Sequence, residues 1–118
     1  MPIVKIHISS TVLPFLKPIL VKEVRKAIVE LLNTDEKLGQ VILYEALPQL
    51  RSVHESQSSN FVYVEITMYP GRSPEIKKAM LQKVCSLVSK YVETDMRDIN
   101  CCIIEIPSEN WYGGIDHN

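Results

Sequence analysis

The sequence predicts an α+β domain. Two β-α-β units in tandem form one four-stranded mixed sheet with two helices on one face. Three observations carry this prediction. Two segments alternate apolar and polar residues as a strand does, and each leads into an apolar stripe at helical spacing. The second strand-helix pair repeats the first at a constant shift of sixty residues, without a gap. The 118 residues, 46% of them hydrophobic, suit one compact domain with a core of its own.

Residues 3–8 open the chain as a strand. Val4, Ile6 and Ile8 fall on one face and Lys5 and His7 on the other. Ser9 to Val12 form a turn. From Pro14 the period changes, and Leu16, Leu20, Val24, Ala27, Ile28 and Leu31 make the apolar stripe of a first helix. Pro14 and Pro18 stand early, where a helix tolerates proline because its first amides lack partners. Asn33-Thr34-Asp35 reads as the stop. Val41–Tyr44 is a short apolar run, a strand that the helical crossover makes parallel to the first.

Residues 48–60 are polar, carry four serines and show no period, which marks a linker or long loop between pseudo-repeats 1–47 and 61–114. Val62, Val64, Ile66 and Met68 alternate with Tyr63, Glu65, Thr67 and Tyr69 as a third strand. Pro70-Gly71-Arg72-Ser73-Pro74 turns into a second helix, with Ser73 able to cap it and Pro74 at its first position. Its stripe is Ile76, Met80, Val84, Leu87, Val88 and Tyr91. Cys101–Ile106 is a fourth strand. At the shift of sixty, strand parity, both stripes, Pro14 with Pro74 and Glu45 with Glu105 all coincide, the signature of an internal repeat. Two helices cover one face of such a sheet, and nothing in the chain remains for the other. That face mixes Lys5, His7, Glu65 and Thr67 with Ile3, Tyr63 and Tyr69, which predicts a homo-oligomer.

Composition excludes several classes of function. A net charge of −1 gives no basic field for nucleic acid and no acidic tract. No apolar run reaches membrane-spanning length, and the opening residues lack the pattern of a signal peptide, so a cytoplasmic protein is expected. Cys85, Cys101 and Cys102 have no framework spacing and read as small apolar core residues of a reducing compartment. His7, His54 and His117 have no metal-ligand spacing, and no metal site is expected. His7 reads as an interface residue.

The opening Met1-Pro2-Ile3-Val4 is unusual in placing a proline directly before a strand. Once Met1 is removed, Pro2 carries a secondary amine with a reference pKa of ~8, which burial or a nearby cation lowers. Such an amine is a candidate general base. Arg72, in the turn after the third strand, offers a planar fork suited to a carboxylate or an enolate.

With these residues in order, the chain resembles the tautomerase superfamily, the group of 4-oxalocrotonate tautomerase and macrophage migration inhibitory factor. The resemblance is carried by Met1–Ile8, by Pro70-Gly71-Arg72-Ser73-Pro74-Glu75 and by the stretch from Ile103 to Gly114 with its Glu-Asn-Trp segment. It implies a cofactor-independent isomerase of the keto-enol type acting on a small enol or unsaturated keto acid, and a homotrimer. It implies Pro2 as the catalytic base, Arg72 as the catalytic and carboxylate-binding arginine, and Trp111 as an aromatic wall of the pocket. The superfamily's second arginine falls on Asn100, with Gln40 as its counterpart in the first half, so a hydrogen bond without charge is expected there. Val12 stands at the first-half position of Arg72, and Val62 at the second-half position of Pro2, leaving one amine per chain. Glu109 and Tyr112 are the candidates for activating water, should the chain act as a dehalogenase, hydratase or decarboxylase of unsaturated acids with Pro2 as general acid. A third reading is a non-catalytic trimeric interaction module.

Overall fold

The computed structural model describes residues 1–11, 14–35 and 38–113. Val12, Gly114 and His117 lie outside the described residues. Four strands, β1 (Ile3–Ser9), β2 (Gln40–Ala46), β3 (Val62–Met68) and β4 (Ile99–Glu105), form one sheet in the order β2-β1-β3-β4. β1 runs parallel to β2, β3 parallel to β4, and the central β1–β3 pair is antiparallel, with Ile3 opposite Thr67 and His7 opposite Tyr63. Each parallel pair is joined by a helix, α1 (Lys17–Leu32) or α2 (Pro74–Val92). The predicted tandem of β-α-β units in an α+β fold is therefore what the chain forms.

The core lies between the helices and one face of the sheet. Val4, Ile6 and Ile8 of β1 and Val62, Val64, Ile66 and Met68 of β3 are buried there against Leu20, Val24 and Ile28 of α1 and Met80, Val84 and Val88 of α2. These are the alternating and helical-period residues of the sequence, and each buried side chain of this size contributes roughly 1.5–3 kcal/mol.

The internal repeat extends to polar contacts. Lys17 Nζ lies 2.9 Å from Glu45 Oε1, and sixty residues on Lys77 Nζ lies 3.3 Å from Glu105 Oε1. Each helix ends on a left-handed residue, Asn33 (φ 49°) and Glu93 (φ 56°). The helix starts differ. Pro14–Leu16 form a 3-10 turn, and α1 begins only at Lys17, because Pro18 has no amide to donate and its ring crowds the carbonyl four residues earlier. α2 begins at Pro74, and the Ser73 side chain accepts a hydrogen bond from the Ile76 amide at 3.2 Å.

Segment 48–60, expected as a linker or long loop, is a loop that starts with a 3-10 turn, Pro48–Leu50. Arg51 gathers it. Its guanidinium donates to the carbonyls of Ser59, at 3.0 Å, and Phe61, and lies 4.1 Å from the centre of the Phe61 ring. A guanidinium near the start of the loop thus bonds two carbonyls at its end and ties the two together.

The other sheet face carries Lys5, His7, Ile42, Tyr44, Tyr63, Glu65, Cys102 and Ile104, and neither helix covers it. His7 stacks between Tyr44 (ring centres 4.7 Å apart) and Tyr63 (5.9 Å). The Tyr63 hydroxyl lies 3.5 Å from Cys102 Sγ; this contact first, then Glu65 and burial, pushes the phenol above its ordinary pKa.

Candidate active site

The central antiparallel pair determines what meets Pro2. Because β1 and β3 run in opposite directions, the start of β1 lies beside the end of β3, where the chain turns through Pro70 and Gly71 into α2. Pro2 and Arg72, seventy residues apart, consequently line one cavity of about 220 Å³. Met1, Thr34, Met68 and Tyr69 complete most of its wall.

Pro2 is buried. Its carbonyl accepts a hydrogen bond from the Gln40 amide at 3.0 Å, which extends the β1–β2 ladder by one step. Gly39 precedes that amide with φ 86°, and a Cβ there would stand 3.7 Å from both Cδ and Cγ of the Pro2 ring. A glycine here gives the backbone its left-handed turn and a close approach to the proline.

Arg72 is exposed at the cavity mouth, and among the described residues its guanidinium forms no ion pair. Ser73, the next residue, caps α2. The helix therefore directs its partially positive N-terminus toward the same end of the molecule as Arg72, and both favour an anion there. A buried ring beside a mouth lined by a cation suits a small acid whose carboxylate faces out and whose reacting carbon faces in.

The other predicted site residues lie elsewhere in the chain. Asn100 pairs with Tyr63 at the start of β4, at the sheet end opposite Pro2. Its side chain exchanges two hydrogen bonds with Gln57, of 3.1 and 3.3 Å. Glu109 lies in the 3-10 turn Ser108–Asn110 beyond β4 and is exposed, as is Tyr112. Trp111 is half-buried, and its amide donates to the Ser108 carbonyl at 3.2 Å. None of these four lines the cavity of Pro2 and Arg72. Conversely, Thr34 and Tyr69 line it, and reading the sequence did not single them out. Thr34 follows the left-handed helix cap and Tyr69 ends the β3 alternation, so the strand register, once known, would have found both.

The sequence model of the tautomerase enzyme family matches residues 43–113, more than half of the chain. No curated protein sequence matches it. Solved structures share the fold at low identity. The chain is similar to a fused 4-OT wild-type asymmetric trimer (15% identity, 96% of this chain and 93% of that chain covered, TM-score 0.87). It is similar to FG41 malonate semialdehyde decarboxylase inhibited by 3-bromopropiolate (18% identity, 97% and 90% covered, TM-score 0.81). A third is a macrophage migration inhibitory factor-like protein from Entamoeba histolytica (16% identity, 98% and 96% covered, TM-score 0.80).

Proposed function

The chain belongs to the tautomerase enzyme family, and from that premise we propose that it is a cofactor-independent keto-enol isomerase with Pro2 as general base. The observation that carries this reading is the meeting of Pro2 and Arg72 in one cavity. Removal of Met1 frees the Pro2 nitrogen as a secondary amine at the buried end of that cavity. Burial and the guanidinium across the cavity both disfavour the ammonium, so the amine is held neutral with its lone pair available. It takes a proton from the hydroxyl of a small enol acid, and the resulting ammonium returns a proton to carbon as the ketone forms. Arg72 holds the substrate carboxylate bidentately and offsets the charge of the enolate.

Pro2→Ala replaces the rigid secondary amine by a freely rotating primary amine and lowers turnover of an enolpyruvate about 10²–10⁴-fold. Arg72→Ala removes a charge-assisted pair of about 1.5–3 kcal/mol, which corresponds to ~10–100-fold in kcat/KM. Steady-state kinetics of both variants test the reading; near-normal turnover by Pro2→Ala sinks it.

The assembly is proposed to be a homotrimer built on the uncovered sheet face; the fused 4-OT proteins that share the fold are trimers. We propose that in such an assembly Asn100 and Trp111, which do not line the cavity of their own chain, serve a neighbour's. Sedimentation at three times the chain mass is expected, and a stable monomer contradicts it. Hydration or hydrolytic dehalogenation needs a water-activating group, and within one chain neither Glu109 nor Tyr112 lines the cavity; release of halide or CO2 from an unsaturated acid would mark that alternative.

A further inference from the structure

We propose that Arg25 is a positioning residue for Pro2, acting through the backbone of Leu38–Gln40. The inference rests on the reading of Pro2 as the base. Arg25 lies on α1, and its guanidinium spans two consecutive carbonyls of the segment that leads into β2. Nε donates to Gly39 O at 2.8 Å and Nη2 to Leu38 O at 3.1 Å. The next two contacts reach the proline. The Gln40 amide donates to Pro2 O at 3.0 Å, and Gly39 faces the proline ring, where an added Cβ would stand at ordinary van der Waals distance, 3.7 Å, from the ring carbon Cδ. Cδ is bonded to the nitrogen that would carry the proton. One side chain thus holds a three-residue segment that fixes the proline by its carbonyl and by its ring.

The guanidinium is suited to this because its donors are fixed in one plane and meet both carbonyls at once. An ammonium is a single point with no such fork. The left-handed Gly39 makes the hold necessary, since a glycine leaves the segment its full backbone freedom. Without the fork, the Leu38–Gln40 segment loosens, the Pro2 ring loses its backing, and water reaches the amine. Loss of orientation lowers kcat. Loss of desolvation raises the pKa of the amine, because solvent favours the ammonium.

The test compares Arg25→Lys and Arg25→Gln with the unsubstituted protein, all with Met1 removed. A misplaced base far from any direct contact costs roughly tenfold to a hundredfold, and this loss is expected in kcat with KM little changed. The acidic limb of the kcat/KM profile moves to higher pH, and lysine does not rescue either effect. Folded variants that keep kcat and the pH limb overturn the proposal. So does failure of both to fold, which would make Arg25 a structural residue only. Hydrogen exchange at the Gln40 amide, faster in Arg25→Lys, reads the hold directly, and unchanged exchange overturns it. If Pro2→Ala in parallel keeps full activity, the base reading falls, and the exchange measurement alone decides the role of Arg25.

Discussion

A proline ring at the start of a strand acquires chemistry through its surroundings, one residue at a time. Pro2 is buried, Gly39 backs its ring, and Arg72 stands across the cavity. Arg72 stands out in the sequence through the resemblance, which places an arginine in the turn after the third strand. Thr34 and Tyr69 were not legible, because nothing in their local pattern separates a cavity wall from a turn or a strand end. Arg25 sits among the charges that flank the α1 stripe and reads there as a solvated residue. Only the path of the chain after α1 brings two carbonyls within its reach. The cysteines show a similar limit. They read as apolar core, yet all three are half-buried. A hydrogen bond from the Cys101 thiol holds Cys85 down to about 7 against the opposing effect of burial, and the same contact pushes Cys101 up. Cys101→Ala should return Cys85 toward its ordinary pKa, so its alkylation midpoint should move from near neutrality to higher pH. An unmoved midpoint in peptide-resolved alkylation would refute the contact as its cause.

At the scale of elements, alternation located β1 and β3 and the helical stripes located α1 and α2, because burial on one face leaves its period in the sequence; β2 and β4 showed only as short apolar runs. The ends were less legible. Pro14–Leu16 became a 3-10 turn, and the loop of residues 48–60 is tied by Arg51. Both outcomes depend on backbone hydrogen bonds that composition does not record. The start of α2 matters most to the site, since the same turn carries Arg72. Ser73→Ala removes the side-chain bond of that cap to the Ile76 amide, at a cost of about 1 kcal/mol. Thermal unfolding should fall by roughly 2–8 °C, and kcat/KM should fall with it as Arg72 loses its anchorage. A variant with unchanged melting temperature would show that the cap is dispensable.

For the whole molecule, the repeat supplies one sheet, and the antiparallel β1–β3 pair brings the first residues to the turn around Arg72. The face holding the His7–Tyr44–Tyr63 stack is left uncovered. Asn100 and Trp111 were legible as residues of the resemblance, yet their places relative to Pro2 were not, since they depend on how chains assemble. All of this arrangement converges on one amine. The most direct test treats the protein at pH 7 with an electrophile selective for neutral amines, then combines intact mass, peptide mapping and residual turnover. The predicted result is a chain without Met1, one adduct on Pro2, and activity lost in proportion to labelling. Full activity in a chain that retains Met1, or in one fully modified at Pro2, would contradict it.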